Sequence, residues 1–212
     1  MAARPLFHHV RALLSAAERV ALLAEIAAHR DRMRHLAGKG GLGPRYGVIG
    51  GDVIAQSMPL VAEVGRRARE LAEQFAGLPL EPFHDPVRRA RVQTYLARED
   101  GFRWHFDGHP FVVLVTLENE SEGVTELVGR WLSTLVRPLF YPAYAVPWIF
   151  SALPRRAVAC AAGEALIFSG RQHLHRGRSR RDGRRTILVF AFDLPGTRPS
   201  RLRNLFARWV NY

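Results

Sequence analysis

At 212 residues, 48% hydrophobic and 24% charged, the chain has the length of one domain and the composition of a globular protein, which excludes intrinsic disorder. Its one cysteine, Cys160, excludes an internal disulfide and any thiolate-rich metal cluster, and reads as an inert buried thiol in an apolar strand. The net charge of +12 rests almost wholly on arginine, Lys39 being the only lysine, and suits an anionic substrate or partner as readily as it reflects coding bias.

The first thirty residues hold an apolar stretch, but Glu18, Arg19 and Glu25 interrupt it and no small-residue cleavage site follows. It reads as an amphipathic helix, and the expected compartment is the cytoplasm. Ser15-Ala-Ala-Glu18 is a capping-box pattern opening that helix, whose apolar side carries Val20, Leu23, Ile26 and Ala27. Arg30, Arg32, Arg34 and His35 crowd its C-terminal end, with Gly38 as the stop.

Residues 38–51 hold seven glycines, and 38–43 spell G-x-G-x-x-G. A phosphate-binding version follows a strand and opens a helix, whereas this one follows a helix and runs into Pro44, so it reads as a flexible loop. A second helix is expected from Pro59 to Gly77, with Leu60, Val64, Leu71 and Phe75 on its apolar side.

From Arg91 the texture changes to runs rich in β-branched and aromatic residues. Strands are expected at 91–97, 111–118, 157–161, 165–168 and 186–193, with Asp182-Gly183 as a hairpin turn. Residues 128–154 read as an insertion carrying six aromatics and broken by Pro138, Pro142 and Pro147; a lid over a site and a packing or dimer segment fit it equally. The tail from Ser200 through Leu202, Leu205, Phe206 and Trp209 reads as a terminal helix. Helices first and strands later predict an α+β domain with helices on one face of a mainly antiparallel sheet or barrel.

Chemistry concentrates in two segments. In His105-Phe106-Asp107 an extended backbone sends the imidazole and the carboxylate to one side and Phe106 to the other, so the pair can grip one metal ion. A third ligand from His173-Leu174-His175 would complete two histidines and one carboxylate, the facial set of non-haem Fe(II) oxygenases. Arg185, ten residues beyond His175, stands where a guanidinium can fork onto a carboxylate. His173 competes with His175, and Arg184 with Arg185, whose neighbour on a strand faces the opposite way. His109 reads as a loop residue at the pocket mouth; His8, His9, His29, His35 and His84 read as surface or packing residues.

The strings "RVQTYLAREDGFRWHFD" and "GEALIFSGRQHLHRGRSRRDGRRTILVFAFD" resemble the core of the Fe(II)/2-oxoglutarate-dependent dioxygenases, prolyl-4-hydroxylase-like branch, over residues 91–193. The resemblance implies a double-stranded β-helix (jelly-roll) core at 91–193, helical support at 1–90 and a C-terminal helix at 194–212. It implies Fe(II) ligation by His105, Asp107 and His175, and 2-oxoglutarate held through its far carboxylate by Arg185 and Tyr95, with O2 as the oxidant. His175 and Arg185 are preferred over their rivals because their spacing matches the family. Asp107 stands where the family's halogenases carry a small residue, so hydroxylation, or a related desaturation or cyclisation, is expected. The family's glycine pair after the second strand is absent, the stretch reading Glu122-Gly123-Val124-Thr125-Glu126, which with the insertion leaves the family's peptidyl-proline substrate open.

The expected substrate is a small molecule, amino-acid-like or a natural product. The seven arginines from Arg171 to Arg185 read more as a solvated hairpin than as a nucleic-acid surface, since no stacking or base-reading elements accompany them. The rivals are a protein- or nucleic-acid-modifying oxygenase, an inactive basic jelly-roll binding module, and a metal-dependent isomerase or cupin, which would use more histidines and no Arg185.

Overall fold

The structure is a computed structural model that describes residues 5–37, 44–140 and 148–197. The G-x-G-x-x-G stretch and the terminal helix expected after Ser200 lie outside them.

In chain order, β1 (Phe7–Val10), α1 (Ala16–Ala28), a short 3-10 turn (Arg30–Arg32), β2 (Arg34–Ala37), β3 (Arg45–Gly50), α2 (Gly51–Ser57) and α3 (Pro59–Ala76) come first. Then follow β4 (Glu81–Pro82), β5 (Ala90–Tyr95), β6 (Gly101–His105), β7 (Phe111–Asn119), β8 (Val124–Val128), α4 (Arg130–Val136) and α5 (Trp148–Ser151). The chain closes with β9 (Arg155–Val158), β10 (Ala165–Phe168), β11 (His175–Arg178) and β12 (Arg185–Asp193).

All twelve strands among the described residues belong to one curled antiparallel sheet, in the order β1-β10-β7-β12-β5-β3-β6-β11-β8-β9, with β2 on β3 and β4 on β12. β3 and β6 meet at one register pair, Arg45 with Gly101, and the sheet folds over there into two facing halves. This is the double-stranded β-helix, in an α+β protein. No described helix is long and apolar enough to cross a membrane.

Strand alternation sorts the apolar residues into three cores. Along β12, Ile187 and Val189 face the interior with Val48, Val112, Leu127, Val158 and Phe168. Leu188, Phe190 and Phe192 face the other way, against Leu22 and Ile26 of α1 and Val61, Val64, Ala68 and Ala72 of α3. A third cluster, Trp104, Val128, Phe140, Phe150 and Leu174, covers the outside of the β6-β11-β8 half. The predicted N-terminal helices therefore do pack on one face.

Ser15 caps α1 as its pattern predicts, accepting from the Glu18 N–H while the Glu18 carboxylate accepts from the Ser15 N–H. The helix stops at His29 rather than Gly38, because Arg34–Ala37 pair with β3 instead of continuing it. The buried stripes are also rotated from the expected ones. Val20 of α1 and Leu60 of α3 are exposed, while α3 packs through alanines that let it lie close to the sheet.

The Gly-rich loop expected over 38–51 is in part a central strand, since Gly47–Gly50 pair with Arg91–Thr94 of β5. The hairpin expected around Asp182-Gly183 is not one. The connection leads from β11, which pairs with β6 and β8, to β12, which pairs with β5 and β7, so it crosses from one half of the sheet to the other. The 128–154 insertion begins with β8's last residue, and its described part carries α4 and α5 over the third core.

Leu188, fully buried between the sheet and α3, tests this packing. Leu188→Ala is expected to cost about 2–5 kcal/mol, read as a lower urea midpoint at unchanged slope; an unchanged midpoint contradicts the assignment.

Candidate metal centre

β6 and β11 run antiparallel with His105 opposite His175. Between His175 and Gly177 the register slips, so that Gly177 opposes Phe102, and β6 carries one residue more than its partner. The bulge lets Phe102 and His105, three apart in sequence, face the same side, with ring centroids 3.8 Å apart. Trp104 and Phe106 turn outward into the third core, leaving Asp107 inward beside His105.

The ligand-capable atoms of His105, Asp107 and His175 all lie within 4.8 Å of one another. His105 Nε2 is 3.4 Å from Asp107 Oδ1, and His175 Nε2 is 3.3 Å from Oδ2. Each imidazole is held from behind: His105 Nδ1–H donates to the Arg103 carbonyl at 2.7 Å and His175 Nδ1–H to the His173 carbonyl at 2.9 Å. With the proton on Nδ1, the Nε2 lone pair faces the centre, which is the tautomer that metal binding needs.

Asp107 sits so tightly that a Cβ on Gly170 would overlap its carboxylate, and its N–H donates to the Gly170 carbonyl at 3.0 Å. Burial, together with the neighbouring His175, pushes His105 down to about 4. Burial alone would raise Asp107, but the rings of His109, His175 and His105 outweigh it and hold the carboxyl well below its usual range. The site thus pairs a neutral His105 imidazole with a carboxylate at Asp107.

His173 is buried apart from this cluster, its Nδ1 3.2 Å from the Val128 carbonyl; its own carbonyl is what orients His175. His109 corrects the sequence reading. It is buried rather than at the pocket mouth, with Nε2 3.2 Å from Asp107 Oδ2 and its ring against Phe83, and nothing in the local sequence signalled it.

On β12, Arg185 shares the inward face with Ile187 and Val189, while Arg184 stays exposed, 3.9 Å from Glu118. Arg185 is 3% exposed, and its Nε and Nη1 are buried without a hydrogen-bond partner. Its guanidinium lies 5.5 Å from the centroid of the Tyr95 ring, the residue opposite it on β5. A Cβ on Gly123 would fall on Arg185 Cδ, so the single glycine at the start of β8 gives the arginine its passage. Burial lowers the Arg185 pKa and raises that of Tyr95.

Tyr95 donates its hydroxyl to Gln93 Oε1 at 2.8 Å. Gln93 escaped the sequence reading, although its parity with Tyr95 along β5 places it on the same face. A second group of metal-capable atoms, His9, Cys160 and Glu164, is already satisfied: the Glu164 carboxylate takes His9 Nε2 and the Ala161 N–H, both at 2.8 Å. Burial pushes the Cys160 thiol up to about 11, in keeping with an inert role.

No protein-family model and no curated protein matches the chain. Solved structures do. The non-heme alpha ketoglutarate dependent epimerase SnoN from nogalamycin biosynthesis is 22% identical at TM-score 0.64, covering 93% of this chain and 88% of its own. SnoN has also been solved with Fe3+, alpha ketoglutarate and nogalamycin RO. The carbocyclase SnoK of the same biosynthesis is 18% identical at TM-score 0.70, covering 97% and 87%. A Pseudomonas putida prolyl-4-hydroxylase is 14% identical at TM-score 0.61, covering 90% and 94%. At these identities the likeness establishes the double-stranded β-helix fold.

Two outcomes are expected from this geometry. Folding holds His105 below its ordinary 6.5, so between 6.5 and about 4 the unfolded chain binds the proton more tightly and stability falls as pH falls. The urea midpoint is expected to drop more steeply from about pH 7 to about pH 5 in the wild type than in His105→Gln, and equal slopes would contradict the buried neutral imidazole. Gly123→Ala is expected to push Arg185 off its position while the fold persists, read as a near-native circular dichroism spectrum with the urea midpoint lowered by about 1–3 kcal/mol of stability; an unchanged midpoint contradicts the close approach.

Proposed function

We propose that this chain is an Fe(II)- and 2-oxoglutarate-dependent oxygenase that oxidises an unactivated C–H bond of a small molecule, most simply by hydroxylation. The observation that carries the proposal is the Arg185 guanidinium, a buried cation with unpartnered nitrogens in the same barrel as three converging metal-ligand atoms. A buried charge left without a counter-ion is costly, and a dicarboxylate that reaches from the metal to Arg185 removes that cost.

The donor set fits the metal: two imidazoles with fixed tautomers and one carboxylate, the mixed nitrogen–oxygen set that suits ferrous iron. When bound, Fe(II) and 2-oxoglutarate supply the oxidising power, O2 being consumed as 2-oxoglutarate loses CO2 and becomes succinate. His105 and His175 offer their Nε2 atoms and Asp107 its carboxylate, each held from behind by main chain, so the ligand sphere is pre-organised. Arg185 takes the far carboxylate as a charge-assisted pair. Tyr95 is the second donor to it, its hydroxyl leaving Gln93 for the incoming carboxylate. Phe102 and Phe168 set their edges against His105 and His175, fixing the rings and excluding water from that side.

SnoN and SnoK, similar in fold, act in the biosynthesis of a natural product, which supports a small-molecule substrate over the family's peptidyl proline. The cytoplasm, a reducing compartment, suits both ferrous iron and the free thiol of Cys160.

Anaerobic addition of Fe(II) and then 2-oxoglutarate to the apoprotein is expected to raise a weak visible charge-transfer band that needs both. Asp107→Ala is expected to lose the band, and Arg185→Gln to require roughly ten- to hundredfold more 2-oxoglutarate for it. A folded, iron-loaded wild type without the band overturns the proposal.

A further inference from the structure

β5 presents a second arginine to the barrel. Antiparallel partners share a face, and Arg91 is opposite Val189, which lies in the interior core. Val92, the next residue, is buried among the helix-facing residues, as the alternation requires. Arg91, Gln93 and Tyr95 therefore form one inward column, with Arg91 at the end away from Arg185.

Arg91 is half-buried and makes no salt bridge among the described residues. Arg91 Nε is buried without a hydrogen-bond partner. Other acids lie against other cations: Asp193 is 3.2 Å from His84 through Oδ2 and 3.9 Å from Arg171 through Oδ1, and Asp107 lies against His105 and His175. Asp85, just before β5, holds Arg88 at 2.7 Å. On the other flank Arg91 faces Gly50, where the exposed Asp52 carboxylate and Val87 fill the space beside the glycine without a salt bridge to Arg91.

Four residues along a strand span roughly 13 Å, so a carboxylate on Arg185 is not the anion that Arg91 awaits. We propose that Arg91 anchors a carboxylate of the molecule to be oxidised, so that the substrate is a carboxylic acid. The proposal rests on the oxygenase reading above. A lone guanidinium with its planar fork suits a carboxylate, whereas a phosphate calls for more donors than the described residues place there.

The test uses protein loaded anaerobically with Fe(II) and 2-oxoglutarate. A panel of aromatic carboxylic acids is titrated beside the matching primary amides, with hippurate and hippuramide as the lead pair and phenyl phosphate as the phosphate arm, all by calorimetry. At least one acid is expected to bind roughly tenfold or more tightly than its amide. Arg91→Gln is expected to erase that preference and Arg91→Lys to keep part of it, both with the 2-oxoglutarate band intact.

The proposal is overturned if no acid outbinds its amide, if the preference survives in Arg91→Gln, or if phenyl phosphate outbinds every acid. Loss of the band in Arg91→Gln also overturns it, since Arg91 would then serve the co-substrate. A wild type that never forms the band sinks the oxygenase reading instead, and calorimetry still reads the acid–amide preference separately.

Discussion

Holding a guanidinium inside a β-barrel without a counter-ion costs several kcal/mol, and the architecture around Arg185 is arranged to bear it. β12 lies between β5 and β7, and every residue from Arg185 to Asp193 is buried. Leu188, Phe190 and Phe192 fasten its back to the helices while Ile187 and Val189 fasten its front to the opposite half of the sheet. The arginine at its end therefore has no low-energy escape to water. The Tyr95 ring beside it gives a partial electrostatic return, and the bare Gly123 leaves room for the side chain. A buried, unpartnered cation results, created by strand packing rather than by a loop.

The metal end follows a different logic, because its precision is local. Each candidate ligand imidazole donates Nδ1–H to a carbonyl two residues earlier in the chain, Arg103 for His105 and His173 for His175. The same device on two antiparallel strands places the two Nε2 atoms face to face, and Asp107, tied to the Gly170 carbonyl, closes the third side. The bulge in β6 supplies what plain alternation cannot, a Phe102 ring packed on His105 with Trp104 free to seal the outer core. His109 adds a third ring next to Asp107, which strengthens the bias toward carboxylate.

Much of this was legible from the chain. The alternation of His105-Phe106-Asp107, the parity of Arg185 with Ile187 and Val189, the capping box at Ser15 and Pro59 at the start of α3 are local rules obeyed locally. What escaped depends on partners distant in sequence. Whether Gly47–Gly50 form loop or strand is decided by β5, some forty residues on, because a glycine-rich stretch carries little propensity of its own. The stretch at Asp182-Gly183 has turn chemistry either way, and only the pairing of the flanking strands tells a hairpin from a crossing connection. His109 is buried because Phe83 and Asp107 converge on it from different segments, and no spacing rule announces that.

The arginine excess looks different once each side chain has its place. In the run from Arg171 to Arg185, Arg171 donates to the Gly108 carbonyl, and Arg176 and Arg178 meet on the buried carboxylate of Glu126 together with Arg155. Arg181 reaches the Glu120 carbonyl and Glu122, and Arg184 lies near Glu118. Arg185 points into the barrel. Five of the seven guanidiniums thus lie against the protein's own oxygens, while Arg180 is exposed. Inside the barrel the opposite holds, since Arg185 and Arg91 are the cations with buried, unpartnered nitrogens on the inward faces of β12 and β5. Net charge alone does not separate these two populations of arginine; their placement on the strands does. Arg185 and Arg91 both lie on inward strand faces, at opposite ends of the β5–β12 pairing.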